Sequence, residues 1–254
     1  MVRVAALVVN YGTPDDLEAC VRSSLQHEDL KWALFDNPHP RARSTERSQD
    51  LARGIEGVWA TTDQNRGHGY GINQLAKHAV SAWDPQYFFI VNPDCLWVEP
   101  IVERLVNFLE EDPIRAMVGP KQLDSRFRIT SAGIFGTNEK PQHRLWHVHD
   151  PRNLQAKDRV EAVMIPGSAI LISAADFFAF GGLLEARHYY SETFLAYHLR
   201  AHGRTVWYYG EATLVHEWHR STPVGSPITD GMFDTDRALF RKMCDEHDPP
   251  IPRD

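Results

Sequence analysis

An acidic residue follows directly on a long apolar run near the middle of this chain. Tyr87–Val91 places five apolar residues in succession, a pattern typical of a strand buried on both faces of a parallel sheet. Asn92-Pro93-Asp94 comes next, and proline does not continue a central strand. Open α/β sheets bind ligands at the carboxyl ends of their strands, so Asp94 could hold a divalent cation against a phosphate there. On its own, the tripeptide favours a plain turn.

Two residues of the second half could complete such a site. Glu192 begins a helical pattern over 192–202; a helix N-terminus stabilises a carboxylate, and in a cleft the same acid could act as a general base. Two closing strands are predicted at 206–209 and 213–216. His216 ends the second, where a histidine is usually hydrogen-bonded, although with His219 it could bind a metal. A further histidine cluster indicates a surface loop, because no cysteine or acid stands at ligand spacing from it: His143, His147 and His149.

Strand and helix patterns alternate along the first half of the chain. Strand patterns at 4–9, 32–35, 58–61 and 87–91 are separated by helical ones, which predicts a parallel sheet with helices on both faces. Each strand pattern is followed by polar residues: Asn10-Tyr11, Asp36-Asn37, Thr62-Asp63 and Asn92-Pro93-Asp94. Parallel strands bring these groups to one edge of the sheet, where they predict a cleft of nucleotide size.

Three alternate glycines open the helical pattern that precedes Tyr87. Gly67, Gly69 and Gly71 allow close approach of a ligand to the backbone, and the free N–H groups of a helix N-terminus suit a phosphate. The spacing matches neither a Walker A loop nor the dinucleotide fingerprint. A phosphate-binding loop and a flexible helix entry are equally compatible with these residues.

The composition suits one large globular domain or at most two small ones. The chain has 254 residues, 43% of them hydrophobic, enough for one full core. Its formal charge of −7 disfavours a nucleic-acid binder. Three widely spaced cysteines indicate reduced thiols and a cytoplasmic location rather than disulfides or a zinc site. No apolar run is long enough for a membrane span, and the first is too short for a secretory signal.

These motifs, in this order and spacing, resemble family 2 glycosyltransferases with the GT-A fold, and among them the rhamnosyltransferase-like branch. The resemblance covers about residues 2–221. The segments that carry it are Ala6–Tyr11, Phe35–Asn37, Asn65–Asn73, Val91–Asp94, Gly167–Ala169, Phe180–Glu185, Tyr190–Glu192, Leu195–Arg200, His216 and Ser221.

The resemblance implies a single α/β domain over residues 1–254, with a Rossmann-like, mostly parallel central sheet flanked by helices and a smaller mixed-sheet region on the acceptor side. About residues 1–120 would form the nucleotide-sugar-binding half and about 121–228 the acceptor-side half. Residues 229–254 would form a C-terminal helix and tail.

The resemblance also implies roles for individual residues. Glu192 would be the catalytic base, and Asp94 and His216 would hold Mn²⁺ or Mg²⁺. Three residues would lie on the acceptor side: Gly167, Ser168 and Trp218. The nucleotide-sugar would contact Asn10, Tyr11, Asp36, Asn37, Asn65, Arg66, Gly67 and Asn92.

The implied reaction is an inverting, metal-dependent transfer from a UDP- or dTDP-sugar, with dTDP-rhamnose as one candidate, to an acceptor hydroxyl. The acceptor stays open among a glycan, a lipid-linked glycan, a protein and a small molecule; nucleic acid is disfavoured. Membrane contact would be peripheral, and a homodimer also stays open.

Two departures from the family pattern motivate an alternative function. Ser191-Glu192 stands where the family usually has Glu-Asp, and Phe194 stands where an aspartate is frequent. The alternative is a GT-A-like module that binds nucleotide-sugar or glycan without turnover. A nucleotide-sugar pyrophosphorylase is disfavoured, because a glycine-rich basic signature would be expected where the chain has Asn10-Tyr11-Gly12.

Overall fold

The computed structural model describes residues 2–39, 44–137, 140–146, 148, 153–217 and 227–252, and among these it leaves the side chains at 141 and 227–230 undescribed. Several residues considered above therefore lie outside the described part of the chain: His147, His149, Trp218, His219 and Ser221.

Strands and helices alternate through the first half, as the sequence patterns predict. The strands are β1 (Val4–Asn10), β2 (Lys31–Asp36), β3 (Val58–Thr61), β4 (Tyr87–Val91), β5 (Cys95–Trp97), β6 (Arg115–Leu123), β7 (Ile129–Ser131), β8 (Ile134–Gly136), β9 (Pro141–His143), β10 (Arg159–Ala162), β11 (Ala169–Ser173) and β12 (Thr205–His216). The helices are α1 (Pro14–Leu25), α2 (Ser44–Gly54), α3 (His68–Trp83), α4 (Val102–Glu110), α5 (Ala174–Ala179), α6 (Ser191–Ala201) and α7 (Pro227–Glu246), with a 3₁₀ turn at Leu154–Lys157.

One mixed sheet forms the centre of the molecule. Eight strands follow the order β10-β12-β6-β11-β4-β1-β2-β3, while β5 pairs with β12 and β7 with β6. Strands β1 to β4 are mutually parallel, and β6 and β12 run in the same direction, because β11 is antiparallel to both β4 and β6. Only β10 and β11 of these eight oppose the others. The predicted mostly parallel sheet is confirmed.

The central strands are buried on both faces, which explains their unbroken apolar sequences. Within β4, Phe88 and Ile90 pack into one apolar cluster, and Phe89 and Val91 pack into the cluster on the other face. All four are at most 1% exposed. Burial of side chains of this size stabilises a fold by about 1.5–3 kcal/mol each, so β4 is firmly fixed immediately before the Asn92-Pro93-Asp94 turn.

The second half differs from the sequence pattern in two places that shape the site. The separate closing strands expected at 206–209 and 213–216 form one strand, β12, with a register shift between Tyr209 and Thr213. The short strand β5, which the sequence analysis did not predict, pairs Cys95 with His216. Among the described residues, no helix has the length and apolar character needed to cross a bilayer.

Candidate active site

The polar groups that follow the parallel strands lie along one edge of the sheet. Asn10 is in register with Asp36, and Asp36 with Thr61. The predicted alignment of these strand ends is therefore present. The edge continues past β4 to the start of β11 and the ends of β6 and β12, since these two strands share the direction of β4.

Asn10 and Asp36 form a buried hydrogen-bond network behind this edge. The Asn10 amide donates to an Asp36 carboxylate oxygen at 2.8 Å, and both residues are 0% exposed. The other carboxylate oxygen accepts from the hydroxyls of Ser44 (3.2 Å) and Thr45 (2.7 Å). The Asn10 side-chain oxygen also accepts from the backbone N–H (3.3 Å) and hydroxyl (3.1 Å) of Thr13, which precedes α1. The two side chains therefore hold the entries of α1 and α2 in place.

Asn37 organises the glycine-containing loop that precedes α3. Its amide donates to the Gly67 carbonyl at 3.2 Å and its side-chain oxygen accepts from the Arg66 backbone at 3.1 Å. Asn65 accepts from the Gly67 N–H at 2.9 Å. Gly67 has φ +89°, and a Cβ there would lie 2.7 Å from the Ala186 carbonyl, so only glycine fits.

Three side chains at this end of the edge face solvent and could contact a nucleotide. Tyr11 is half-buried, with its ring edge-on to His39 at 4.8 Å between centroids. Arg66 is exposed and lies over the Tyr70 ring, 4.8 Å from its centroid, while Asn65 is also exposed. An aromatic ring such as that of Tyr11 suits a base, and a guanidinium such as that of Arg66 suits a phosphate.

Asp94 and His216 come together where β4 and β12 end. The His216 Nε2 lies 3.3 Å from an Asp94 carboxylate oxygen, and each side chain is about one-tenth exposed, at 9% and 11%. The Glu217 backbone N–H donates to the Asp94 carbonyl at 3.0 Å, which ties the two segments together. With Cys95 they form a group whose ligand atoms lie within 4.8 Å of one another.

Two of these three residues carry ligand atoms that suit a hard or borderline divalent cation. A carboxylate oxygen and an imidazole nitrogen suit Mn²⁺, and a carboxylate suits Mg²⁺. The Cys95 thiol donates to the Ser168 carbonyl at 3.2 Å, and burial, followed by the charge of Asp94, raises its pKa well above the ordinary value. A protonated thiol is a poor ligand, so Asp94 and His216 are the two residues of this group that would hold such a cation.

Glu192 lies in the first turn of α6, with its carboxylate against the Gly167 backbone. The carboxylate accepts from the N–H groups of Glu192 and Gly167. Burial raises the pKa of the Glu192 carboxyl above its ordinary 4.5, against the opposing effect of these two hydrogen bonds. An acid with a raised pKa and a fixed position has the properties of a general base.

Gly167 links this acid to the turn that carries Asp94. The residue after it, Ser168, accepts from the Asn92 backbone N–H at 3.0 Å. The Ser168 hydroxyl is buried and donates to Gln122 at 2.7 Å, so it braces β6 against β11. Two hydrogen bonds thus connect the acid to the Asp94 turn: one joins Glu192 to Gly167, and the other joins Ser168 to Asn92.

Asp236 of α7, which none of the sequence motifs indicates, also supports the site. This carboxylate, 2% exposed, accepts from three successive backbone N–H groups, those of Arg187 (3.1 Å), His188 (2.9 Å) and Tyr189 (2.9 Å). Tyr190 follows with φ +67°, an unfavourable left-handed conformation for a bulky residue, and caps α6. Asp236 therefore holds the loop that delivers Glu192. No local sequence pattern marks it.

Comparisons with known proteins identify the class of fold to which this chain belongs. No protein-family model matches the chain, and no curated protein matches it either. Solved structures do match. GalNAc-T7, crystallised with UDP, GalNAc and Mn²⁺, aligns with TM-score 0.72 and 12% identity over 97% of this chain and 49% of that one. The chain has the GT-A glycosyltransferase fold.

A second match agrees with the first. The mannosyltransferase PcManGT from Pyrobaculum calidifontis, in complex with GDP-Man and Mn²⁺, aligns with TM-score 0.61 and 14% identity over 94% of this chain and 61% of that one. This chain spans about half to three-fifths of the length of these two proteins. At such low identity the likeness establishes the fold.

Proposed function

We propose that this protein is an inverting glycosyltransferase that uses a nucleotide-diphosphate sugar and Mn²⁺ or Mg²⁺. The observation that carries the proposal is the junction at Gly167 and Ser168. There the buried carboxylate of Glu192 bonds to the Gly167 backbone, and the Ser168 carbonyl bonds to Asn92 in the turn that presents Asp94 to His216. A base for the acceptor and ligands for the leaving group are the two parts that displacement at an anomeric carbon needs.

The residues divide the work of the reaction. The nucleotide lies along the ends of β1 to β3, where Tyr11, Asn65 and Arg66 face solvent. Asp94 and His216 would hold the cation, which would neutralise charge on the departing diphosphate. Glu192 takes the proton of the acceptor hydroxyl as the oxygen attacks from the face opposite the leaving group. Its two backbone donors keep the carboxylate aimed, so little reorganisation is needed.

The donor is a UDP- or dTDP-sugar, with dTDP-rhamnose as one candidate, because the motifs resemble the rhamnosyltransferase-like branch of family 2. The chain acts as one domain, with a donor half over about residues 1–120 and an acceptor half over about 121–228. Three buried free cysteines, Cys20, Cys95 and Cys244, suit a reducing compartment such as the cytoplasm.

Two variants test nucleotide binding and turnover separately. Asp94→Ala truncates a side chain, and Glu192→Gln is an isosteric change. Calorimetric titration of UDP and dTDP with and without Mn²⁺ should show metal-dependent binding that Asp94→Ala abolishes. Glu192→Gln should retain this binding and lose donor turnover. Asp50→Ala, which removes an exposed carboxylate of α2 paired with Arg53, is the control and should behave as wild type.

The competing module without turnover makes a different prediction. Ser191 and Phe194 motivate it, since both depart from the family pattern. Metal-dependent nucleotide binding with no donor turnover by the wild type, across UDP- and dTDP-sugars, would favour the module. Metal-independent nucleotide binding in both wild type and Asp94→Ala would contradict the assignment of Asp94.

A further inference from the structure

A cavity of about 310 Å³ opens beside the candidate active site, at the ends of β6 and β12. Its lining includes Asp124, Arg126, Arg128, Thr130, Trp146 and Glu217. Glu217 directly follows His216, and its backbone N–H bonds the Asp94 carbonyl. The cavity therefore adjoins the metal ligands on the side away from β1 to β3, where the nucleotide would lie.

The charged groups of the cavity sum to zero. Asp124 and Arg128 form a closed ion pair, with Oδ2 2.6 Å from Nε, and Asp124 also accepts from the Arg126 and Arg128 backbones at 2.9 Å. Arg126 and Glu217 each leave a charged group without a side-chain partner among the described residues. One free cation and one free anion favour a neutral, hydrogen-bonding ligand over a phosphorylated one.

The cavity also contains a buried hydroxyl without a partner. Thr130 is 6% exposed, and its Oγ1 makes no hydrogen bond within the described part of the chain. Such a group costs free energy unless a ligand or a water satisfies it. Nearby, Phe127 is 57% exposed with φ +58° at the tip of the turn from Asp124 to Arg128. Strain of this kind concentrates at binding sites.

We propose that this cavity is the acceptor subsite and that it binds a neutral saccharide. The half-buried Trp146 ring supplies an apolar surface for the C–H face of a pyranose. Glu217, Arg126 and Thr130 supply a carboxylate, a guanidinium and a hydroxyl for its OH groups. The inference rests on the proposed function, because it identifies the molecule whose hydroxyl Glu192 would deprotonate. The saccharide could be free or attached to a lipid or protein; the recognised chemistry is the same.

Binding is tested without turnover, so that a failure here is distinct from a failure of the proposed function. Saturation-transfer NMR would use the methyl glycosides of glucose, galactose, mannose, rhamnose and N-acetylglucosamine with the full chain. At least one should bind. Trp146→Ala and Glu217→Gln should each weaken that binding about tenfold or more, while Mn²⁺-dependent binding of UDP or dTDP stays unchanged and confirms that the variants fold.

Two further variants test whether the change in glycoside binding is specific to the cavity. Glu211→Gln makes the same chemical change within β12, outside the cavity lining, and should leave binding unaltered. Arg126→Ala alters an exposed side chain and should weaken binding without loss of fold. Absence of binding by all five glycosides, binding that survives Trp146→Ala and Arg126→Ala, or stronger competition from inorganic phosphate than from any glycoside would each overturn the proposal.

Discussion

Substitution of Gly167 by alanine should separate donor binding from catalysis. A Cβ at position 167 would lie 2.6 Å from the Glu192 Cδ and 2.9 and 3.0 Å from its two carboxylate oxygens. Ordinary contacts of a Cβ begin at about 3.4 Å, so the carboxylate must move by about 0.8 Å. Because displacement of a catalytic group by about 1 Å lowers a rate about 10²-fold, we expect turnover to fall by roughly that factor.

The assay is release of nucleoside diphosphate from the donor, measured beside calorimetric binding of the diphosphate with Mn²⁺. Gly167→Ala should lose turnover and keep binding, since Asp94 and His216 are untouched. Gly54→Ala is the matched control: a Cβ at residue 54 meets nothing within 4 Å. Turnover of Gly167→Ala within threefold of wild type would refute the reasoning.

A double-mutant cycle identifies the clash as the cause. Glu192→Asp withdraws the carboxylate by about one carbon–carbon bond, which leaves room for the new methyl group. The methyl group should therefore reduce turnover less in the Glu192→Asp background than in wild type, a positive coupling between neighbours in contact. Equal losses of turnover in both backgrounds would show that the alanine lowers turnover by some cause other than this clash.

Three further outcomes are expected. Because the base must be ionised and burial raises the pKa of Glu192, donor turnover should rise with pH through a limb above 4.5 in a kcat/KM profile; a limb at or below that value contradicts the assignment. Asp236→Asn should lower kcat about tenfold with nucleotide binding intact, since it weakens charge-assisted bonds to the loop before Glu192; Asp234→Asn, an exposed neighbour, should not. Phe88→Ala should lower the free energy of unfolding by about 3–5 kcal/mol in urea titration. Val98→Ala should lower it by only about 0.5 kcal/mol.

The first half of the fold was predictable because its strands are buried on both faces. An unbroken apolar run such as Tyr87–Val91 has few structural alternatives when helical patterns flank it. Parallel pairing then brings the polar residues after each strand to one edge. The resemblance of the motifs added the GT-A fold, which the comparisons confirm.

The direction of individual side chains was less predictable. Asn10 and Asp36 stand at the expected edge, yet both are fully buried and bond to each other. The position of a residue along a strand predicts the edge of the sheet at which it lies. Only the packing around it decides whether its side chain points toward a ligand or toward a neighbouring loop. Asp236 was missed for a related reason: its three partners lie 47–49 residues away, beyond any local pattern.

The antiparallel insertion of β11 explains how Glu192, the proposed base from the second half of the chain, comes close to the Asp94 turn of the first half. Ala169 pairs with Val91, the last residue of β4, so β11 begins where β4 ends. A parallel strand of five residues in the same place would begin at the opposite edge, about 16 Å away. Gly167 and Ser168 would then lie far from the Asp94 turn, and Glu192 would lose both its backbone donor and its route to the site. The reversal of this one strand therefore brings the proposed base to the edge of the sheet where Asp94 lies.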